Sequence, residues 1–249
     1  MNTASAPILQ VKGLSKRFGG FVALDDIDLD VGQGERLGLI GPNGSGKSTL
    51  VNCICGTLQN ETGTVHFNGH ALNGAPAHKR THLGLARSFQ LPRPFASMTV
   101  ADNIRVPLLY TVRQRTGLVH SHIDLGRRCV ELLALVGLEH LAERSPRDLS
   151  QVDMRKLELA RAVASEPKLL IADEAMAGLS HSEVEDIVQL LLRLNKDEGI
   201  TVILIEHIMR AVMSFSQRLA VLVSGRKIAD GKPDEVVNNP QVVSAYLGQ

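Results

Sequence analysis

Residues 41–49 read Gly-Pro-Asn-Gly-Ser-Gly-Lys-Ser-Thr, and no other stretch limits the possible folds as tightly. The run fits the spacing G-x-x-x-x-G-K-[ST]. It follows a short apolar segment, Arg36–Ile40, expected as a strand, and precedes Lys47–Leu58, expected as a helix. Glycines at such a turn let the backbone wrap closely, so that successive N–H groups and the helix N-terminus face a polyanion. The pattern casts Gly41, Pro42, Asn43, Gly44, Ser45, Gly46, Lys47, Ser48 and Thr49 as a phosphate cradle. Lys47 is expected to reach the outer phosphates and the Ser48 hydroxyl to ligate Mg²⁺. A glycine-rich turn that binds nothing is the alternative, and residue identity together with context sets it aside.

A second run completes this chemistry. Leu169-Leu-Ile-Ala-Asp-Glu174 is an apolar strand ending in two carboxylates. Placed beside the cradle, Asp173 would hold the metal through water, and Glu174 would polarise an attacking water. An acidic strand end alone is common; together with the cradle it becomes specific.

The rest of the chain says how two such strands come together. Ile8–Val31 alternates in short runs broken by Gly19–Gly20 and reads as antiparallel strands. Asn60–Gly69 reads as turn, strand and turn. From about Phe95 to Ala164 strand signals vanish and helical spacing takes over, as at Val130, Leu133, Leu135, Val136 and Leu138. Strands return at Lys168–Ala172 and Thr201–Ile205, each followed by a helical stretch. A strand pair is expected at Leu219–Val223 and Lys227–Ala229, joined at Ser224–Gly225. This order predicts one α/β domain, with a parallel core (residues 1–94 and 166–249) interrupted by a helical subdomain (residues 95–165). Leu108–Ile123 is polar and weakly periodic, a loop or a mobile helix.

Composition narrows the partners. The 249 residues carry 27 basic and 26 acidic side chains, a net charge of +1, which makes no electrostatic case for nucleic acid. Aromatic residues are 3% with no Trp, against stacking platforms for single strands. Cys53, Cys55 and Cys129 fit neither a disulfide framework nor zinc spacing and read as reduced thiols. His66, His70, His78 and His82 cluster in sequence only and read as solvated surface. The N-terminus has no signal-peptide pattern, and the apolar runs fall far short of the roughly 18 residues of a membrane span.

The motifs in this order resemble the ATP-binding subunits of ABC transporters, over essentially the whole chain. The resemblance implies a P-loop NTPase core with an antiparallel β subdomain and an inserted α-helical subdomain, the ABC ATPase fold. It implies ATP and Mg²⁺ as the ligands. Phe18, in Lys16-Arg-Phe-Gly19, falls where the family stacks an aromatic on adenine. Gln90, in Ala86-Arg-Ser-Phe-Gln90, matches the glutamine that touches Mg²⁺ or water and senses the membrane partner. His207 matches the histidine that contacts the γ-phosphate, so Glu174, His207 and Gln90 form the implied catalytic set. Leu91-Pro-Arg-Pro-Phe95, stiffened by its prolines, matches a docking surface for a membrane subunit's helix.

Two departures from the family stand out. Where the family reads L-S-G-G-Q opposite the partner's γ-phosphate, this chain reads Leu149-Ser-Gln-Val-Asp153. Val152 then brings a branched side chain where backbone should approach phosphate. Ser150 and Asp153 fit the S-x-x-D capping pattern, so Ser150 is expected to cap the next helix while its first N–H groups still face an anion. After Glu174, the family's proline and terminal aspartate are Ala175 and Ser180.

Within the family, Gly84–Gln90, Phe95-x-x-Met-Thr-Val-x-x-Asn103, Leu157–Arg161, Ala177-Gly-Leu179 and the ending Asn239-Pro…Ala245-Tyr-Leu-Gly248 resemble branched-chain amino acid importers. That resemblance implies a peripheral subunit at the cytoplasmic face of the inner membrane. Its partners would be integral membrane permease subunits, an identical or paralogous ATPase chain completing a dimer, and, indirectly, an external solute-binding protein. The alternatives are the ATPase of a lipopolysaccharide exporter, which shares the Tyr-Leu-Gly ending, a soluble member acting on DNA or ribosomes, and a regulatory subunit with little turnover.

Overall fold

The structure is a computed structural model and describes residues 6–89, 91–112 and 122–247. Gln90, most of Leu108–Ile123 and Gly248 of the C-terminal ending lie outside the described residues. Strands β1 (Leu9–Phe18), β2 (Phe21–Val31), β4 (Thr62–Phe67) and β5 (His70–Ala71) form an antiparallel sheet in the order β2-β1-β4-β5. A second sheet runs β10 (Arg226–Gly231), β9 (Arg218–Val223), β3 (Arg36–Ile40), β8 (Thr201–Ile205), β7 (Leu169–Asp173), β6 (Leu85–Ser88). All its pairs are parallel except β9 with β10. Gly19–Gly20 turns β1 into β2 and sets Phe18 opposite Phe21. Ser224 (φ 48°) and Gly225 (φ 78°) turn β9 into β10, the paired left-handed residues of a tight hairpin.

Every residue of β7 and β8 is buried, yet the strand period still sorts their side chains. Leu170, Ala172, Val202 and Leu204 pack into the core shared with the helical region. Leu169, Ile171, Ile203 and Ile205 pack on the other face, with β3, the antiparallel sheet and helix α1 (Lys47–Cys55). That helix ends earlier than Leu58 because Gly56 takes a left-handed conformation (φ 79°). Its terminal carbonyls at Cys53 and Ile54 each accept a 2.7 Å bond from the buried Arg80 guanidinium of α2 (Ala77–His82).

Between residues 95 and 165 the described residues contain no strand. They form α3 (Val100–Pro107), a π turn (Leu108–Val112), α4 (His122–Val136) and α5 (Gln151–Val163). The α4 stripe differs from the expectation at one position. Cys129, Leu132, Leu133 and Val136 are buried, while Val130 is 62% exposed, because the 3.6-residue period turns it away from the stripe that its neighbours form. Strand β6 goes unread in the sequence: it has only Leu-Ala-Arg-Ser, too short and too polar for an alternation signal. The chain closes with α6 (His181–Lys196), α7 (Met209–Phe215), α8 (Pro233–Val237) and α9 (Pro240–Leu247). Among the described residues no helix is long and apolar enough to cross a membrane.

Candidate functional site

The phosphate loop leaves the sheet at the C-terminal end of β3, between β8 and β9. Ile40 at that end is buried among Val212, Leu219, Val221, Val236 and Val242, so the strand end is fixed from behind. The β9–β10 turn holds the loop from the side: Gly225 N–H donates to the Ser45 carbonyl at 3.0 Å, and Asp25 N–H to the Gly225 carbonyl at 2.8 Å. Two positions in the loop demand glycine. At Gly41 (φ 151°) a Cβ would lie 2.0 Å from the Leu222 carbonyl oxygen, and at Gly46 (φ 104°) 2.7 Å from that of Ala23.

Lys47 is 6% exposed and folds back on the loop it follows. Its Nζ donates to the carbonyls of Gly41 at 2.7 Å and Pro42 at 3.0 Å. Burial lowers the pKa of the amine, while the nearby Glu174 and Asp173 carboxylates push it back up. Around it, Phe18, Asn43, Ser48, Thr49, Glu174 and His207 line one open cleft. Gly44, Ser45 and Gly46 complete the floor. The N-terminus of α1 opens into this cleft with Gly46 as its cap, no side-chain capping bond and no acidic residue in its first turn. Its first N–H groups are therefore free of side-chain caps and open to water or an anion.

The carboxylates arrive from the neighbouring strand. Asp173 ends β7 in register with Ile205 of β8. Its side chain is 7% exposed and pairs with Arg87 of β6, whose Nε (3.1 Å) and Nη2 (2.5 Å) both donate to Oδ2. Arg87 Nη1 also donates to Asn52 Oδ1 of α1 at 2.7 Å, so one guanidinium ties the acidic strand to the loop's helix. Glu174 sits at φ 49°, a left-handed conformation uncommon outside glycine and asparagine. Its N–H donates to the Ile205 carbonyl at 2.9 Å, and its Oε1 lies 2.8 Å from His207 Nε2. The cleft thus offers an exposed hydroxyl at Ser48, and the adjoining strand end a buried carboxylate at Asp173, hard oxygen donors of the kind Mg²⁺ takes. The cradle and Lys47 offer the donors a polyphosphate takes.

The expected residues divide accordingly. Phe18, Asn43 through Thr49, Glu174 and His207 share the cleft; Gly41, Pro42 and Asp173 adjoin it through Lys47, Arg87 and the strand ends. Gln90 lies outside the described residues. Ser150 is not among the cleft-lining residues. It is the N-cap of α5, its Oγ accepting from Asp153 N–H at 3.2 Å and donating to Asp153 Oδ2 at 2.6 Å. Val152, expected to bring a branched side chain where backbone should approach a partner's phosphate, is half-buried and packs against the helical core. Ser180 caps α6 in a capping box, Glu183 Oε2 accepting its backbone N–H at 2.7 Å.

The sequence reading gives no role to Arg87, Phe21 or Glu206. Phe21 lines the cleft beside Phe18, and aromatics flanking a Gly-Gly turn are the readable signal for it. Arg87 carries no local signal, since Asp173 and Asn52 are distant in sequence, and the Glu206 bond to Met176 likewise spans 30 residues.

A groove opens on the far side of Arg87, lined also by Phe89, Phe95, Val106, Pro107 and Arg161. Buried Asn103 fixes its lip: its Oδ1 accepts from Phe95 N–H at 2.8 Å and its Nδ2 donates to the Phe95 carbonyl at 3.1 Å.

Residues 24–177 match the family model described as ABC transporter, and residues 226–249 match that described as branched-chain amino acid ATP-binding cassette transporter. The chain is 36% identical to the high-affinity branched-chain amino acid transport ATP-binding protein BraF of Pseudomonas aeruginosa, across 98% of this chain and 99% of that one. Among solved structures it is similar to the ADP conformation of an ATP-binding cassette of an ABC transporter (TM-score 0.86, 31% identity, 98% of this chain and 100% of that one). A dimeric post-hydrolysis cassette bound to ADP and Pi superposes with TM-score 0.80 at 27% identity, covering 90% of this chain and 98% of that one.

Proposed function

The chain belongs to the ATP-binding cassettes of ABC transporters, and from that premise we propose that it hydrolyses ATP to power import of branched-chain amino acids or closely related small acids and amides. The observation that carries the ATPase reading is the cleft, where an open helix N-terminus and Lys47 face the Glu174–His207 pair. In the reaction, Gly41–Thr49 cradle the phosphates, and Lys47 exchanges its carbonyl contacts for phosphate oxygens. Phe18 carries the adenine. Ser48 and Asp173 would hold Mg²⁺ with Gln90, and the ion would neutralise charge on the β- and γ-phosphate oxygens. Glu174 orients and polarises the attacking water, and His207, within hydrogen-bond distance of Glu174, holds that carboxylate and meets the γ-phosphate.

The chain works as half of a dimer, with an identical or paralogous chain placing its own Ser150 helix toward this cleft. Membrane permease subunits dock in the groove beside Phe89 and Phe95, within the helical subdomain and its junction with the core. An external binding protein hands them the solute, and the chain sits at the cytoplasmic face. The match of residues 226–249 favours amino-acid import over lipopolysaccharide export.

Uptake of labelled leucine, isoleucine, valine and small acids and amides by cells carrying Lys47→Ala tests the proposal. Selective loss of one class supports import and names the cargo. Unchanged uptake with a damaged envelope overturns it in favour of export.

A further inference from the structure

The Glu174–His207 pair rests on a carboxylate that does not itself face the cleft. Glu206 follows β8 and is 3% exposed. Its Oε1 accepts the Met176 N–H at 2.8 Å, and its Oε2 lies 3.3 Å from the His207 N–H, which donates to it. Met176 is fully buried and stands two residues beyond Glu174; His207 is the next residue along. One side chain therefore grips the backbone beside each member of the pair. The grip meets a specific need, because Glu174 holds a left-handed backbone (φ 49°) that carries a side chain only where its surroundings enforce it. The Glu174 N–H bond to Ile205 fixes one flank of that residue, and the Glu206 bond to Met176 fixes the other.

A structural acid in an apolar core would be costly, and burial does push the Glu206 carboxyl up, against the two backbone N–H donors that pull it down. A leucine would fill the space without that cost, so a carboxylate here is explained by the two bonds it makes. From this geometry we infer that Glu206 is a positioning residue: it sets the distance and direction of Glu174 relative to His207 and acts on hydrolysis only through that pair. The inference rests on the ATPase reading above. It assigns a role to a residue outside the cleft, and it predicts that the phosphate cradle does not feel its loss, since no bond from Glu206 reaches residues 41–49.

The test compares Glu206→Leu and Glu206→Gln with wild type in the assembled transporter, measuring ATP affinity, KM and kcat, and single-turnover rates in a His207→Ala background. Glu206→Leu should lower kcat by about ten-fold or more, the equivalent of one lost bond to a charged acceptor, with ATP affinity and KM held within about two-fold. Glu206→Gln keeps one acceptor oxygen and should recover part of the loss. With His207 already removed, either variant should cost much less, because the pair it sets no longer exists. If Glu206→Leu fails to assemble, the same comparison is made with Glu206→Gln, whose shape is conserved. Wild-type kcat in Glu206→Gln and Glu206→Leu, or the same fold-loss with and without His207, overturns the inference. A parallel fall in ATP affinity overturns it too, marking a merely structural role. Absence of ATPase activity in the wild-type transporter would instead overturn the function proposed above.

Discussion

Two helices begin where the family expects contact with phosphate, and they begin in opposite ways. Helix α1 starts from Gly46 in a left-handed conformation, with no capping side chain and no acid in its first turn. Helix α5 starts from Ser150 in an extended conformation, with the Ser150 hydroxyl on Asp153 N–H and the Asp153 carboxylate on that hydroxyl. The first terminus leaves its N–H groups and its partial positive charge open. The second answers them from its own side chains, at some 0.3–1 kcal/mol for the favourably placed acid alone. An open terminus leaves its N–H groups to water or to a ligand, whereas a closed one is satisfied by its own side chains. The α1 terminus is thus open to an anion, while the α5 terminus has a carboxylate already in place.

The comparison breaks most visibly at α1. Lys47→Ala removes the one buried cation in the cradle and should lower turnover by about 10²–10³-fold, with nucleotide affinity falling alongside. Glu174→Gln should cut hydrolysis by about 10²–10⁴-fold, while ATP binding persists because the cradle is untouched. Equilibrium binding of labelled ATP, measured beside steady-state hydrolysis in the assembled transporter, separates the two. Loss of ATP binding in Glu174→Gln would contradict the division of labour between the cradle and the Glu174–His207 pair.

How much of this was legible depends on how locally each feature is encoded. The cradle is readable because nine consecutive residues supply both its shape and its charge, and the glycines at 41 and 46 stand where side chains cannot. The Ser150 cap is readable for the same reason, its two partners lying three residues apart. Arg87 and Asp173 are 86 residues apart, and Met176 and Glu206 are 30 apart. Such pairs exist only once β6, β7 and β8 lie side by side, and no local spacing announces them. Val152 is a case where both signals are local: set against the family's glycines it stands at the helix start, and the helix period packs its half-buried side chain against the helical core. Asn103 was visible only through resemblance, and the structure supplies its physical reason: it clamps both backbone polar groups of Phe95.

Changes at α5 should be smaller and of a different kind. Ser150→Ala removes the cap and should destabilise the chain by about 1 kcal/mol, read as a lowered urea midpoint with an unchanged slope. Asp153→Asn removes the charge while leaving the backbone N–H that Ser150 receives. Its cost in stability should be only about 0.3–1 kcal/mol. If the α5 terminus faces a partner's phosphate in the closed dimer, Asp153→Asn should also tighten ATP-driven dimer closure, because a like charge has been taken away. Weaker closure, measured by the ATP dependence of association, would show that α5 does not approach an anion at all.

The smallest effect on turnover is expected at Val152, and there stability and catalysis should move in opposite directions. Val152→Gly gives up a half-buried side chain and puts glycine in the first turn of a helix, together about 1–2 kcal/mol of stability. In exchange the backbone at the α5 terminus can come closer to an anion, since no Cβ remains to hold it against the core. Single-turnover hydrolysis should therefore be a few-fold faster in Val152→Gly than in wild type, while its thermal midpoint falls. Equal rates would mean that the valine does not limit the approach, and that the packing which displaces its side chain into the core already lets the α5 backbone through.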